Sequence, residues 1–283
     1  MADIMTDPMV TPAWLAGRLD DPRIRILDAS WFMPGAPRDP AAEYIAGHIP
    51  NAQRFEIEAV SDQATPLPHM LAPAVDFAVA MRRLGLNKDS HVVVYDSEGL
   101  FSAPRAWWNL RAMGHEDVVV LDGGLPRWTA EGYPVETGWT PASHGDFKAH
   151  LNAALIADLT AVRSAVETGK PRLVDARSGP RFRGDAPEPR EGVKSGHMPG
   201  AANVPWSAVV TDGTLGAVDS LRRAFLDSGV DLSAPIITTC GSGVSAAVLA
   251  LALARLGRSD VAIYDGSWSE WGGRDDTPIV TGP

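Results

Sequence analysis

Residues 236–246 read IITTCGSGVSA, and the apolar run AVLALALA continues from 247 to 254. An apolar, β-branched segment that stops at a glycine-rich turn and resumes as an alanine- and leucine-rich segment is typical of a buried strand, a tight loop and a helix. The sequence therefore predicts an α/β structure in which Cys240 lies where a strand ends.

The loop that follows the cysteine has the composition of a site for an anion. Gly241 and Gly243 can adopt backbone conformations that other residues avoid, so that successive N–H groups point towards one atom. A helix that begins near Val244 directs its positive end to the same place, and Ser242 and Ser245 add hydroxyl groups. We expect this arrangement to stabilise a thiolate, which favours a reactive cysteine over an inert buried one.

Composition limits the class of protein. The chain has 283 residues, of which 45% are hydrophobic, and this is enough for two ordinary domains with full cores. A net charge of -10 argues against a general nucleic-acid-binding protein, which would carry a basic face. A single cysteine excludes an internal disulfide and a metal site of several cysteines, and it suggests a reducing compartment.

The hydrophobic pattern indicates neither an N-terminal signal peptide nor a transmembrane helix. The first residues, MADIMTDP, lack the basic and apolar parts of a signal peptide. The longest apolar run, at 246–254, is shorter than the roughly 20 residues that a transmembrane helix needs. We therefore expect a cytoplasmic protein that does not act at a membrane.

The first half of the chain contains an earlier copy of the same pattern. Five landmarks recur 143 to 149 residues later: Asp28 and Asp175, His48 and His197, Asp96 and Cys240, Asp122 and Asp265, and Trp128 and Trp271. A repeat of this length indicates duplicated domains rather than a solenoid. We expect each copy to be an α/β domain with a mostly parallel sheet flanked by helices.

The two copies have different chemistry at the position of the cysteine. We place the first domain at 1–138, a linker at 139–154 and the second domain at 155–283. Asp96 stands in the first domain where Cys240 stands in the second, and a carboxylate cannot act as a soft sulfur nucleophile. Only the second domain can therefore be catalytic through a thiol.

These features resemble the two-domain sulfurtransferases of the rhodanese superfamily. The resemblance covers nearly the whole chain and rests on GHIP at 47–50, GHMP at 196–199, YDGSW at 264–268, Asp96 and the loop at Cys240. It implies tandem rhodanese-like domains and sulfur transfer through a persulfide on the cysteine, with no metal or organic cofactor. The implied acceptors are a small thiol, cyanide or a thioredoxin-like protein.

The loop sequence also has implications for the sulfur donor. CGSGV at 240–244 is similar to the loop of family members that use 3-mercaptopyruvate, whereas members that use thiosulfate typically carry basic residues after the cysteine. Thiosulfate is a dianion that benefits from nearby cations, but 3-mercaptopyruvate carries its charge on a remote carboxylate. By the same resemblance Arg181 and Arg190 are expected to bind that carboxylate and the carbonyl, while Arg183 and Lys194 are expected at the solvated surface.

The resemblance implies several further site residues. The loop residues expected to line the donor site are Gly241, Gly243, Val244 and Ser245. His48, with an acidic residue that we assign as Asp39, is expected to form a relay with Ser242 that protonates the leaving enolate. His197 and Asp175 are expected to be structural. The positions of four tryptophans, in helices or after strands, are those that normally fill cores, and we expect these side chains to be packing residues: Trp107, Trp108, Trp128 and Trp271.

Other functions stay open from the residues alone. A thiosulfate:cyanide sulfurtransferase on the same scaffold is the nearest alternative, and a non-catalytic persulfide carrier is another. A cysteine-based phosphatase is disfavoured, because that chemistry needs an arginine about six residues after the cysteine. The chain has Ala246 at that position.

Overall fold

A computed structural model describes residues 7–283, and the chain divides into two units. The first unit contains the residues up to Asp62 together with Leu71–Asn152 and Asp212–Leu215. The second unit contains Gln63–Met70, Ala153–Thr211 and Gly216–Pro283. Each unit therefore includes a short segment that lies, in chain order, within the other half.

The first unit is built on a sheet of parallel strands in the order β1-β5-β4-β2-β3. These strands are β1 (Met9–Val10), β2 (Ile24–Asp28), β3 (Gln53–Arg54), β4 (His91–Tyr95) and β5 (Val118–Leu121). The helices of this unit are α1 (Pro12–Ala16), α2 (Pro40–Ala46), α3 (Ile57–Val60), α4 (Ala74–Arg83), α5 (Ala103–Ala112) and α6 (Gly124–Ala130). The central strands are continuous apolar runs, as expected where helices cover both faces of a parallel sheet.

The second unit repeats this topology with strands in the order β6-β12-β11-β7-β8, all parallel. These strands are β6 (Ile156–Ala157), β7 (Arg172–Asp175), β8 (Ala202–Asn203), β11 (Ile236–Thr239) and β12 (Ala262–Tyr264). Two short strands lie outside the large sheets: β9 (Val210–Thr211), which belongs to the second unit, and β10 (Thr214–Leu215), which belongs to the first. The helices are α7 (Leu159–Thr168), α8 (Gly179–Arg183), α9 (Val218–Asp227), α10 (Val244–Arg255) and α11 (Ser267–Trp271), with 3-10 turns at Ala153–Leu155 and Trp206–Ala208. The predicted fold class, a duplicated α/β domain, is confirmed.

The duplication extends to individual backbone conformations and to core packing. Gly99 and Gly243, which follow the aspartate and the cysteine by three residues, both have positive φ, at 104° and 82°. The buried Trp128 donates its indole N–H to a proline carbonyl at 2.7 Å, and Trp271 does the same at 2.9 Å. The prediction that these tryptophans fill the cores is confirmed.

The predicted linker at 139–154 is bonded along much of its length to the first unit. The N–H of Gly145 donates to the carbonyl of Arg82 at 2.8 Å, and the N–H of Phe147 donates to that of Leu86 at 3.1 Å. The ring of Phe147 is buried. This segment is therefore held against the first unit rather than forming a free tether.

Two expectations from the sequence concern a transmembrane helix and a signal peptide. No helix within residues 7–283 is long and apolar enough to cross a membrane. The expectation that the N-terminus is not a signal peptide rests mainly on residues 1–6, which lie outside the described residues.

Candidate active site

Cys240 lies at the carboxyl end of β11, a central strand of the second sheet, and α10 begins four residues later. Its side chain is buried, with 2% of the residue exposed. Its N–H donates to the hydroxyl of Ser267 at 3.3 Å, and its carbonyl accepts the N–H of Trp268 at 2.9 Å. The backbone of the cysteine is thus fixed on both sides. Because α10 is apolar and buried along most of its length, it holds the C-terminal end of the loop in place.

The YDGSW segment supports the cysteine loop from the end of the neighbouring strand β12. Ser267 is buried and adopts a left-handed conformation with φ of 50°, where a residue with a side chain is strained. Its hydroxyl donates to the carbonyl of Tyr264 at 2.7 Å while accepting the Cys240 N–H. Ser269 donates its N–H and its hydroxyl to the carbonyl of Gly241, at 2.8 and 2.6 Å. These bonds offset the strain and set the path of the loop.

The first unit shows what this type of loop binds. There the carboxylate of Asp96 is fully buried and accepts four backbone N–H groups of its own loop. The four N–H donors are those of Glu98, Phe101, Ser102 and Ala103, at 2.8 to 3.0 Å. The loop after Cys240 occupies the same place between strand and helix and has its left-handed glycine, Gly243, at the same position. The duplicated loop is therefore suited to an anion carried on the side chain at the end of the strand.

The hydroxyl of Ser242 pairs with His69. Nδ1 of His69 lies 3.0 Å from Oγ of Ser242 and 3.3 Å from its carbonyl oxygen, and both residues are buried. His69 belongs to the segment Gln63–Met70, which is part of the second unit. This residue was missed in the sequence analysis, because it lies far from Ser242 in the chain and no motif marks it.

His48 occupies a different environment from the one predicted. Its Nδ1 pairs with the carbonyl of Tyr44 and its Nε2 with the hydroxyl of Thr140, both at 2.8 Å, and its ring stacks on Tyr44 at 4.0 Å. The corresponding His197 is held in the same way, by the carbonyl and the ring of Phe182. The expected pairing of Ser242 with His48 is therefore corrected: the partner of the hydroxyl is His69, and both nitrogens of His48 are engaged elsewhere.

Asp39 is also placed differently from the expected relay. It is the N-cap of α2, and its Oδ1 accepts the N–H groups of Ala41 and Ala42 at 2.9 and 3.2 Å. A carboxylate at this position satisfies free N–H groups of the first helical turn. Within residues 7–283, the structure thus gives Asp39 a capping contact and no hydrogen bond to His48.

Arg181, at the end of α8, lies beside the cysteine loop. A Cβ atom at position 241 would lie 3.1 Å from its Nη2, so the guanidinium is next to the backbone of Gly241. Glu188 accepts from Arg181 in a two-pronged pair, with Nε at 3.2 Å from Oε1 and Nη2 bonded to Oε2. The side chain of Arg181 keeps 21% of its surface exposed, whereas that of Glu188 keeps 3%. The guanidinium is therefore fixed by a buried acid and open on its other edge.

A fully buried arginine, Arg177, extends this arrangement into the core. Its Nη1 donates to Oε1 of Glu188 at 2.8 Å, and its Nε and Nη2 donate to Asp175 at 2.6 to 3.2 Å. Its guanidinium lies 4.2 Å from the ring centre of Trp268. Burial acts to lower the pKa of Arg177, but the two carboxylates, Asp175 foremost, outweigh it, so the pKa is raised and the side chain stays charged.

The other predicted residues are distributed as follows. Gly243 and Val244 are buried, while Gly241 and Ser245 are partly exposed, as is Arg190 on the loop after α8. Arg183 pairs with Asp185 and Lys194 pairs with Asp275, with all four side chains exposed by 41% or more. The prediction that Arg183 and Lys194 lie at the solvated surface is confirmed.

The fold and this site define a protein with two rhodanese-like domains, of which the second carries a cysteine at the end of a central strand. The rhodanese-like domain family matches residues 11–131 and 158–274, and the chain belongs to this family. The chain is 48% identical over 267 residues to a 3-mercaptopyruvate sulfurtransferase of Escherichia coli, covering 94% of this chain and 95% of the relative. It is 41% identical to thiosulfate/3-mercaptopyruvate sulfurtransferase 1, mitochondrial, of Arabidopsis thaliana, covering 97% of this chain and 78% of that protein.

Solved structures agree with this assignment. The crystal structure of SseA from Escherichia coli, described as a 3-mercaptopyruvate sulfotransferase with the rhodanese fold, superposes with a TM-score of 0.86 at 46% identity. The match covers 93% of this chain and 99% of SseA. Family membership and fold therefore rest on both sequence and structure.

Proposed function

We propose that this chain is a sulfurtransferase that takes sulfur from 3-mercaptopyruvate, carries it as a persulfide on Cys240 and releases pyruvate. The observation that carries the proposal is the loop from Cys240 to Ala246, which combines an anion-binding backbone with neutral, hydroxyl-bearing side chains. A loop without cations is suited to a sulfur donor whose charge lies away from the sulfur. The identity to proteins named 3-mercaptopyruvate sulfurtransferase supports the same donor.

In the first half-reaction the thiolate of Cys240 attacks the sulfur of 3-mercaptopyruvate. Arg181, beside Gly241, binds the carboxylate through the open edge of its guanidinium, and Arg190 binds the carbonyl. The new S–S bond forms as the C–S bond breaks, and the electron pair of that C–S bond leaves as the enolate of pyruvate. Holding the keto acid by its far end directs its sulfur at the thiolate.

The enolate needs a proton before pyruvate can leave. We propose that the hydroxyl of Ser242 supplies it and that His69, 3.0 Å away, returns a proton to the hydroxyl. The site is buried, so a fixed donor of this kind is more effective than bulk water.

In the second half-reaction a nucleophilic acceptor, a thiolate or cyanide, attacks the outer sulfur of the persulfide. The S–S bond breaks, Cys240 leaves as a thiolate, and the acceptor carries the sulfur away. The N–H groups of the loop stabilise the anionic sulfur in both states, as the matching groups of the first unit bind the carboxylate of Asp96. We propose a small thiol, cyanide or a thioredoxin-like protein of the cytoplasm as the acceptor, and neither half-reaction uses a metal or organic cofactor.

The test is a side-by-side measurement of kcat/KM for pyruvate release from 3-mercaptopyruvate and for thiocyanate formation from thiosulfate and cyanide. A large preference for 3-mercaptopyruvate is expected. A preference for thiosulfate would retain the persulfide on Cys240 but overturn the assignment of the donor. Full activity of Cys240→Ser with either sulfur donor would overturn the mechanism. If the wild-type chain turned over neither donor, the alternative of a non-catalytic persulfide carrier would replace the proposal.

A further inference from the structure

A row of alternating charges runs from the core of the second unit to the cysteine loop. Asp175, at the end of β7, binds Arg177; Arg177 binds Glu188; and Glu188 binds Arg181. The first three side chains are no more than 3% exposed, and Arg181 is the member that reaches the surface of the site. The last guanidinium in the row lies next to Gly241.

The charges in this row cancel, since it contains two carboxylates and two guanidinium groups. Glu188 takes up Nε and one N–H of Nη2 on Arg181, which leaves the other edge of that guanidinium for a ligand. An anion bound there meets a cation whose field is already reduced by a buried carboxylate in direct contact with it. In a site with little water this carboxylate also acts on the bound anion, because the interaction of charges is weakly screened.

We propose that Glu188 determines the class of sulfur donor, by reducing the positive charge that Arg181 presents so that a monoanionic keto acid is accepted and a dianion is disfavoured. The inference rests on the proposed function, in which Arg181 meets the carboxylate of the sulfur donor. Glu188 acts through Arg181 and touches no reacting atom, so it is a positioning and specificity residue. The donor preference is thus set by a buried acid as well as by the neutral side chains of the loop.

A merely structural role for Glu188 leads to a different expectation. If it only held the segment after α8 in place, its loss would reduce transfer from every sulfur donor by a similar factor. If it sets the charge of the site, its loss must change the ratio between sulfur donors of different charge. The ratio of kcat/KM values for thiosulfate and 3-mercaptopyruvate therefore separates the two roles.

The experiment compares the whole chain with Glu188→Gln, which keeps the shape of the side chain and removes its charge. Asp185→Asn is the matched control. It also removes one negative charge, three residues before Glu188 in the chain, but from an exposed ion pair with Arg183. We expect the thiosulfate to 3-mercaptopyruvate ratio to rise about ten-fold in Glu188→Gln, the size expected for one unit charge at this range. In Asp185→Asn and in the charge-retaining Glu188→Asp it should stay near the wild-type value. An unchanged or lower ratio in Glu188→Gln would overturn the proposal.

A second measurement does not require turnover. Alkylation of Cys240 by iodoacetamide is followed in the presence of pyruvate, a monoanion, or sulfate, a dianion. In the wild-type chain we expect pyruvate to protect at lower concentration than sulfate, and in Glu188→Gln we expect half-protection by sulfate to need about ten-fold less anion. If sulfate protects Cys240 of the wild-type chain at lower concentration than pyruvate, the charge proposal is overturned, even if the Glu188→Gln variant does not fold. Absence of transfer from 3-mercaptopyruvate in the wild type, in contrast, would overturn the proposed function and leave this assay to decide the role of Glu188.

Discussion

The hydroxyl of Ser242 lies 3.0 Å from Nδ1 of His69, although the two residues are separated by 173 positions in the chain. Both residues belong to the second unit, which includes the segment Gln63–Met70. His69 has a left-handed backbone conformation, with φ of 62°, and such strained residues are often found at functional sites. A histidine in this position can hold and return the proton of the hydroxyl.

His69→Asn should lower kcat for pyruvate release by about 100-fold, the usual contribution of a positioned proton donor or acceptor. His48→Asn is the matched comparison, because both ring nitrogens of His48 are engaged within its own unit, by Tyr44 and Thr140. It should instead reduce stability by about 1–3 kcal/mol, through the loss of buried hydrogen bonds. Steady-state kinetics and thermal melts of both variants provide the measurement. A larger loss of kcat in His48→Asn than in His69→Asn would restore the original assignment.

Cys240→Ser should reduce sulfur transfer by at least about 1,000-fold, because a hydroxyl in place of the thiol cannot form a persulfide. Mass spectrometry after addition of 3-mercaptopyruvate without an acceptor should show a gain of one sulfur atom in the wild-type chain and none in the variant. As the chain contains one cysteine, the added sulfur has a single possible site of this kind. Sulfur bound to the variant would exclude Cys240 as the carrier.

Arg181→Lys should raise KM for 3-mercaptopyruvate by about ten-fold or more, since a lysine cannot reproduce the planar fork that binds Glu188 and a carboxylate together. Arg183→Lys, in which the altered residue pairs with Asp185 at the surface, is the control and should change KM little. Initial-rate kinetics over a range of 3-mercaptopyruvate concentrations test this. Equal effects of the two substitutions would argue against a role of Arg181 in binding the sulfur donor.

Asp96→Ala should destabilise the first unit by about 3 kcal/mol or more, because four N–H groups lose their acceptor and three of them, those of Phe101, Ser102 and Ala103, are buried. Asp146→Ala is a suitable control, since the exposed Asp146 accepts one N–H, that of Lys88. It should cost less than about 1 kcal/mol. The measurement is urea unfolding followed by tryptophan fluorescence, in which the urea midpoints of the two variants are compared. Similar midpoints for the two variants would show that the buried carboxylate is not needed.

Stability should fall in mild acid because of His115. Burial lowers the pKa of this side chain in the folded state below its ordinary value of 6.5. Since the unfolded chain then binds the proton more readily, the contribution of His115 is complete above about pH 6.5 and declines as the pH falls towards the lower folded-state pKa. His115→Asn should therefore lose less stability than the wild-type chain between pH 7.5 and 5.5 in denaturant titrations (roughly the window in which histidine titrates). Parallel losses in the two proteins would contradict this assignment.

Local sequence patterns were sufficient for much of the fold. A β-branched run, a glycine-rich turn and an alanine- and leucine-rich run predicted β11, its loop and α10, because these preferences act over a few neighbouring residues. The duplicated landmarks predicted two similar domains, and the two strand orders match. Arg181 was assigned from a motif, and its guanidinium lies beside the loop of Cys240.

The errors in the site came from contacts that are distant in sequence. His48 lies in a short motif that makes it conspicuous in the sequence, but in each unit that motif builds a turn in which the histidine is stacked and hydrogen-bonded. His69 carries no local signal, and its position beside Ser242 depends on where its segment joins the fold. The pairing of Glu188 with both Arg177 and Arg181 likewise requires α8, β7 and the following loop to be in place.

By itself, the sequence determined the fold class, the duplication, the position of Cys240 at the end of a strand and the neutral character of its loop, because all of these follow from residue order over short distances. Only the tertiary structure decided which histidine meets Ser242 and which acid binds Arg181. Those choices depend on side chains that converge from separate segments, and the free energy that selects them comes from burial and charge pairing in the folded chain.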